Sequence, residues 1–327
     1  MTDPLRIGLL GVGLVGSAVA RVAAARSQTI DRPIHVTAGL VRNLSAPGRP
    51  DTVALTANGR AVLDTNPDVV VEVLGGLEPA RTLVLDALAR GIPVVTANKS
   101  LLAHHGEEIL NAAAASGVPI RYEAAVIAGV PFLGTFARRP FASTFTTLTG
   151  IVNGTTNYIL SAMAEEGLEL EVALAEAQRR GFAEPDPSKD IDGVDAAEKL
   201  VILIRQFFGL RVTPADIETI GIRNVTTADL ERARERGGTL KSLAFARCRQ
   251  GELTAWVRPT FVPATHPLAG LRGASNGILL QDSNGRELTF TGPGAGPEIT
   301  AVTILDDVIE LFTKVRVRPD TTAVLST

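Results

Sequence analysis

The segment LRIGLLGVGLVGSAVARVAAA, Leu5 to Ala25, decides the fold. Its opening apolar run, Leu5 to Leu10, reads as a β-strand. Gly11-Val12-Gly13-Leu14-Val15-Gly16 follows and leads into an Ala/Val helix. Strand, glycine turn and helix N-terminus come in the order that a dinucleotide site requires. Gly11 allows the tight turn, Gly13 lets the backbone approach a pyrophosphate, and Gly16 lets the helix lie close to the strand. Leu14 and Val15, inside the turn, join them as candidate cofactor residues. The free N–H groups and positive dipole end of the helix favour phosphate there. A glycine turn that serves packing alone is the plainer alternative, and the flanking strand and helix argue against it.

The next strand, Ile34 to Val41, bears on the type of cofactor. An NAD site usually closes this strand with Asp or Glu, which bonds the ribose 2′-hydroxyl. Here the strand closes in Val41-Arg42-Asn43. The missing carboxylate favours NADP(H). Arg42 itself has two readings, a partner for a 2′-phosphate or a solvated surface arginine. Further strands are expected at Asp68 to Gly76, Ile92 to Lys99 and Val118 to Val126, with a helix from Pro79 to Arg90. Such alternation implies a doubly wound parallel sheet. Ligands bind beyond the C-terminal ends of its strands, which singles out Gly75, Gly76, Thr96 and Lys99.

The pattern changes after FARRPF, Phe136 to Phe141. TFTTLTGIVNGTTNYIL is rich in Thr and β-branched residues and reads as a strand turning into a helix at Thr155 or Thr156. A helix from Glu169 to Arg180 precedes GFAEPDPSKDIDGVD (Gly181 to Asp195), where five carboxylates crowd a segment broken by Pro and Gly. An apolar helix, Asp195 to Phe208, then places Asp195 and Lys199 on one face. That spacing has two readings, a plain surface salt bridge or a lysine held for proton transfer. TGPGAGPEITAVTILDDVIELF (Thr291 to Phe312) is a second glycine turn opening an apolar helix, expected to pack back on the first half. The fold class is therefore α/β. Residues 1–134, with 300–327, form a Rossmann-type dinucleotide-binding domain, and residues 135–299 form an α+β domain for substrate and dimerisation.

Composition narrows the function classes. Apolar residues make up 45% of the 327 and aromatics only 4%, so Ala, Val, Leu and Ile must fill the interior, as α/β layers allow. With 32 basic and 35 acidic residues and no basic run, nucleic-acid binding has little support. The single cysteine, Cys248, fits a reducing compartment. His35, His104, His105 and His266 lack metal-ligand spacing. No signal peptide is evident, and no apolar run reaches the ~20 residues of a membrane helix. A cytoplasmic protein is expected.

The segments GLLGVGLVG, VVVEVLGG, VVTANKSLLA, YEAAVIAGVP, GIVNGTTNYIL, GFAEPDPSKDIDGVDAAEKL and GPGAGPEITA together closely resemble the homoserine dehydrogenase family over nearly the whole chain. NGTTNYIL and the acidic segment are family-specific, whereas the glycine loop is shared by many dehydrogenases. The resemblance implies NAD(P)-dependent interconversion of L-homoserine and L-aspartate 4-semialdehyde, on the route to threonine, methionine and isoleucine, in a homodimer joined through the second domain. It places the acid/base lysine at Lys199 and the second active-site lysine at Lys99. It places substrate contacts at Glu184, Asp190, Asp195, Gly154 and Thr155, and cofactor contacts at Gly181, Glu184 and Gly296. A monovalent cation, Na+ or K+, would be held by the carbonyls of Glu123, Val126, Ala128 and Val130. Phe182 stands where many relatives have Tyr. The chain ends at Thr327, so no threonine-binding regulatory domain is expected.

Hydride transfer from C4 of homoserine requires loss of the hydroxyl proton. A lysine brought towards neutrality by burial and a second nearby cation could take it. Glu184 is suited to the substrate ammonium, and Asp195 to the same task or to orienting Lys199. Asp186 and Asp192 read more readily as solvated loop acids. Two rivals stand beside this reading. A semialdehyde dehydrogenase of the thiohemiacetal type needs a cysteine at a turn, and Cys248 is poorly placed for it. A nucleotide sensor would keep the dinucleotide fold without turnover.

Overall fold

The structure, a computed structural model, describes residues 3–26, 32–46, 48–138, 141–294 and 296–313. Two six-stranded sheets organise them. The first contains β1 (Leu5–Leu10), β2 (Ile34–Leu40), β3 (Leu55–Thr56), β4 (Val69–Glu72), β5 (Val94–Thr96) and β6 (Ile120–Arg121). Its order is β3-β2-β1-β4-β5-β6, and every pairing is parallel. The order reverses beside β1, which opens a crevice beyond the C-terminal strand ends. The second contains β7 (Phe145–Ile151), β8 (Glu218–Thr219), β9 (Gly238–Arg249), β10 (Glu252–Pro263), β11 (Ser275–Asp282) and β12 (Glu287–Pro293). Its order is β12-β11-β7-β9-β10-β8, antiparallel except for the β8 edge. β9 and β10 turn at Gln250 and Gly251, both with positive φ (52° and 85°), as a two-residue hairpin of matching twist requires.

The helices are α1 (Leu14–Arg26), α2 (Gly59–Leu63), α3 (Ala80–Ala89), α4 (Lys99–Ser116), α5 (Leu133–Arg138), α6 (Gly154–Glu166), α7 (Leu170–Arg179), α8 (Ser188–Ile191), α9 (Val194–Phe208), α10 (Thr227–Glu235) and α11 (Pro297–Phe312). Alternate residues of one strand feed opposite layers of the first sheet. Val69 and Val71 pack with α1 and α11 residues such as Val19, Ile304 and Val308. Val70 and Val94 pack with Leu63, Leu83, Leu88 and Ile109 on the other face. Helix α11 thus covers the first sheet; of the span 300–327, residues 314–327 lie outside the described residues.

Helix α9 is the pivot between the halves. Ala196, Ala197 and Leu200 to Ile204 are all buried, within one cluster that runs from Leu102 and Ala103 of α4 to Leu148, Ala244, Val257 and Ile278 of the second sheet. Burying each such Leu, Ile or Val is worth roughly 1.5–3 kcal/mol, so this seam holds the halves firmly. Arg205 passes against Gly106 and donates to Leu102 O (2.9 Å), and Tyr122 donates to Gln206 Oε1 (2.7 Å). The few aromatic residues gather here too, with Phe132 stacked on Phe207 at 5.7 Å.

The strands are shorter than the apolar runs suggest. Those running to Gly76, Lys99 and Val126 leave the sheet at Glu72, Thr96 and Arg121. Past the end of the ladder the backbone must find other partners. Gly75 and Gly76 turn at positive φ, Lys99 already begins α4, and residues 123–125 wind into a 3-10 turn. β3 and the single turn α8, inside the acidic segment, have no counterpart in the sequence reading.

Candidate active site

The glycine turn is built by close approach. Gly11 has φ +110°, and a side chain there would meet Val73 O at 2.8 Å. A Cβ on Gly16 would lie 1.9 Å from Gly11 O, so only glycine lets α1 descend onto the turn. Gly13 instead faces open space. Leu14 is 78% exposed at the start of α1, beside that space. Arg42 is exposed just past β2. A second arginine, not singled out from sequence, lies near the turn: half-buried Arg49 donates to Val12 O (3.1 Å).

The opposite wall of the crevice rests on a buried carboxylate. Glu72, at the end of β4, is fully buried, and burial pushes its carboxyl up. It accepts from Thr96 Oγ1 (2.5 Å), Leu74 N (2.8 Å) and Asn98 Nδ2 (3.2 Å). Asn98 also donates to Gly76 O (2.8 Å) and caps α4 by accepting from Leu101 N (3.0 Å). This network ties the Gly75-Gly76 turn, Thr96 and the start of α4 together.

Lys99 is the first residue of that helix. A cation there opposes the helix dipole, an arrangement that local structure alone does not favour. Its counter-ion comes from the other half. Lys99 Nζ lies 3.0 Å from Asp195 Oδ1, and Lys199 Nζ lies 2.8 Å from Asp195 Oδ2. The two lysines therefore converge on one carboxylate, itself in the first turn of α9, where the dipole favours an acid. Lys199 also donates to Val152 O (2.8 Å). Asn153, the α6 N-cap, donates to Asp195 Oδ2 (2.8 Å) and Asp190 Oδ1 (2.7 Å). Burial alone would raise the Asp195 carboxyl, but Lys199, then Lys99, hold it well below the ordinary carboxylate range. Burial and the neighbouring Asp195 push Asp190 up. Lys99 is raised, chiefly by Asp195. The Asp195 carboxylate, which pairs with the Lys99 ammonium, outweighs the effect of burial there.

A cavity of about 470 Å³ brings most of these groups to one wall. Val15, Gly75, Gly76, Lys99, Val126, Ala128, Glu184 and Lys199 line it. Ser100 and Lys189 line it as well and were not anticipated. Thr155 sits at the rim of the acidic segment, where its hydroxyl donates to Phe182 O (2.7 Å). Gly154 lies so close to Ala274 O that a Cβ would meet it at 2.9 Å. Gly181 follows α7 and Gly296 caps α11; their near neighbours Glu184 and Gly294, rather than they, form the wall. Phe182 leans on Tyr158 at 4.9 Å. Asp192 pairs with Arg223 and Asp186 accepts from Ser188 N (3.2 Å), structural tasks away from the lysines.

Asn153 is the main residue that sequence reading missed. Its signal was an Asn directly before Gly154-Thr155-Thr156, an N-cap pattern. Around the proposed cation carbonyls, the Glu123 side chain has a separate task. It accepts from Phe132 N, Leu133 N and Gly134 N and so caps α5. The carbonyls of Glu123 and Val130 accept from Val126 N (3.4 Å) and Phe132 N (2.9 Å). No cluster of three or more His, Cys, Asp or Glu side chains suited to a metal occurs among the described residues.

A parallel sheet of this order, with a glycine turn after β1 and two lysines from different halves of the chain meeting on one carboxylate, is the arrangement of a nicotinamide-dependent oxidoreductase. The family description "Homoserine dehydrogenase, NAD binding domain" matches residues 11–123, and "Homoserine dehydrogenase" matches residues 131–309. The chain is 40% identical over 317 residues to the homoserine dehydrogenase of Synechocystis, covering 94% of this chain and 73% of that one. A crystal structure of a homoserine dehydrogenase from Thiobacillus denitrificans superposes with a TM-score of 0.88 at 40% identity, covering 94% of this chain and 73% of that one. A hyperthermophilic archaeal homoserine dehydrogenase in complex with NADPH is similar at 27% identity and TM-score 0.79, covering 96% and 100% of the two chains. This chain belongs to the homoserine dehydrogenase family. Among the described residues no helix is long and apolar enough to cross a membrane.

Proposed function

We propose that this enzyme interconverts L-homoserine and L-aspartate 4-semialdehyde with a preference for NADP(H), with Lys199 as the acid/base and Lys99 as its partner. The observation that carries this reading is the Asp195 carboxylate shared by two lysines from different halves, at the edge of the cavity lined by Gly75, Gly76 and Glu184. The open space beside Gly13 fits a pyrophosphate, with Gly11, Leu14, Val15, Gly16, Gly75, Gly76, Thr96, Gly181 and Gly296 shaping the site. Arg42, at a strand end without a carboxylate, suits a 2′-phosphate. The nicotinamide, when bound, supplies the hydride acceptor for C4 of homoserine.

The chain's own groups account for the rest. Glu184 faces the cavity and pairs with the substrate ammonium. The neutral amine form of Lys199 takes the proton of the C4 hydroxyl in oxidation, and the resulting ammonium returns it in reduction. Lys99 holds the same oxygen through its ammonium, stabilising negative charge that develops there. Asp195, Asp190 and Asn153 fix both lysines in reach of that oxygen, while Gly154 and Thr155 shape the substrate side. A monovalent cation on the carbonyls of Glu123, Val126, Ala128 and Val130 would brace the loop that carries Val126 and Ala128 to the cavity wall; replacing Na+ and K+ by a bulky quaternary ammonium tests it.

The reading extends to organisation. Residues 1–134 with 300–327 hold the cofactor, and residues 135–299 hold substrate and join a second copy. One face of the second sheet supports the homodimer: Thr149, Phe245, Trp256, Leu279 and Thr289 lie side by side across it. Phe245 stacks on Trp256 at 4.9 Å, and both are half-buried. A cytoplasmic place in threonine, methionine and isoleucine synthesis follows from this activity. The deciding experiment adds homoserine and NADP+ to the protein and follows nicotinamide absorbance. Homoserine-dependent reduction, faster with NADP+ than with NAD+, is expected. Cofactor binding without it would instead mark a sensor.

A further inference from the structure

A second polar cleft, of about 330 Å³, lies away from the lysine–carboxylate centre and is lined by residues of α6, α10, β9 and the segment before β11. Lys241 and Ser161 form its floor, and both are more than nine-tenths buried. Lys241 Nζ donates to two neutral acceptors, Asn157 Oδ1 (3.0 Å) and Leu271 O. An ammonium offers three donors, so one remains. Among the described residues no carboxylate forms an ion pair with it: Glu165, at the rim, pairs with Arg272 and acts on Lys241 only from a distance. Ser161 Oγ has no hydrogen-bond partner among the described residues. Ser161 and Asn157 are one helical turn apart on α6, so the free hydroxyl stands beside the residue that holds the ammonium.

Two orphaned donors of this kind are costly. A buried charge without a counter-ion and a buried hydroxyl without a partner each lose hydration that nothing in the chain replaces. Burial, with Arg272 nearby, accordingly lowers Lys241 to about 8. We propose that this cleft is a binding site for a small monocarboxylate, one oxygen pairing with Lys241 Nζ and the other accepting from Ser161 Oγ. The rim selects for a single negative charge. With Arg272 and Glu165 paired to each other, Arg234 would draw in an anion, whereas Glu231 would oppose one of higher charge. The site also touches function, because Asn157 and Ser161 belong to the helix whose first residues are Gly154 and Thr155.

The test is a thermal-shift titration of the full chain with sodium acetate, with sodium sulfate and sodium chloride at matched ionic strength. A saturable rise in Tm with acetate alone is expected. Lys241→Met should abolish it, and Ser161→Ala, which leaves the charge in place, should weaken the apparent affinity about tenfold. Lys199→Met should retain it, which separates this cleft from the active site. The proposal is overturned if acetate gives no saturable shift, if sulfate matches it, if Ser161→Ala binds as tightly as the unmodified protein, or if Lys199→Met abolishes the effect.

Discussion

Replacing Asp195 by asparagine tests the centre most directly, because the side chain keeps its volume and loses only its charge. Both lysines then lose their shared counter-ion. Removing one partner of a buried ion pair typically costs about 3–5 kcal/mol. Here Lys99 is one-third exposed, and Glu198 and Asp190 still act on it, so the lower end applies, about 3 kcal/mol. Trp256, the only tryptophan, lies in the sheet against which α9 packs, so urea unfolding followed by its fluorescence reports on the right domain. The pH dependence has a definite sign. Asp195 is held below its unfolded pKa, so its stabilisation is present above the unfolded value near 4 and fades as pH falls towards the folded value. The gap between the two proteins should persist from pH 5 to 8 and shrink by roughly 1 kcal/mol by pH 3. Equal unfolding midpoints at pH 7, or a gap that grows in acid, would refute the reasoning.

Three further outcomes are expected. Lys199→Ala should lower turnover by about 10²–10⁴-fold while cofactor affinity barely changes, measured by initial rates and cofactor titration; near-normal turnover removes Lys199 from proton transfer. Arg42→Ala should raise KM for NADP+ by about tenfold, the loss of one charge-assisted hydrogen bond, and leave KM for NAD+ alone; equal effects on both would return Arg42 to the solvated surface. Asp307, buried on α11 and accepting from Glu123 N (3.0 Å), is raised by burial to about 7. Its proton is retained in the folded state between the unfolded pKa near 4 and about 7, so it costs stability as pH rises across that window. Asp307→Asn, which can still accept that bond, should be nearly neutral at pH 3 and more stable than the unmodified protein at pH 8, by up to about 4 kcal/mol. A stabilisation that is the same at both pH values would show that burial does not raise this acid.

Much of the first half could be read in advance because its signals are local. A glycine turn between an apolar run and an Ala/Val helix constrains three neighbouring segments at once, and the close contacts at Gly11 and Gly16 follow from it. The buried helix α9 declared itself in the same way, with Asp195 and Lys199 one turn apart. The strand ends misled because apolar character continues past the last ladder bond, into turns that hydrogen bonds from Glu72 and Asn98 organise. The acidic segment was legible as a concentration of charge, yet not in its division of labour: Asp190 and Asp195 turn inward to Asn153, while Asp192 turns out to Arg223.

By itself, then, the amino-acid order settled the main strands and helices around the dinucleotide turn, that turn itself and the residue types available for proton transfer, since each depends on neighbours within a few positions. Only the tertiary structure decided what those residues do together. Lys99 and Lys199 are 100 positions apart, and their meeting on Asp195 depends on α9 packing between α4 and the second sheet. Likewise, the protonation of Asp195, Asp190 and Asp307 is set first by burial, which exists only once the layers have closed, and at Asp195 also by Lys99 from the other half.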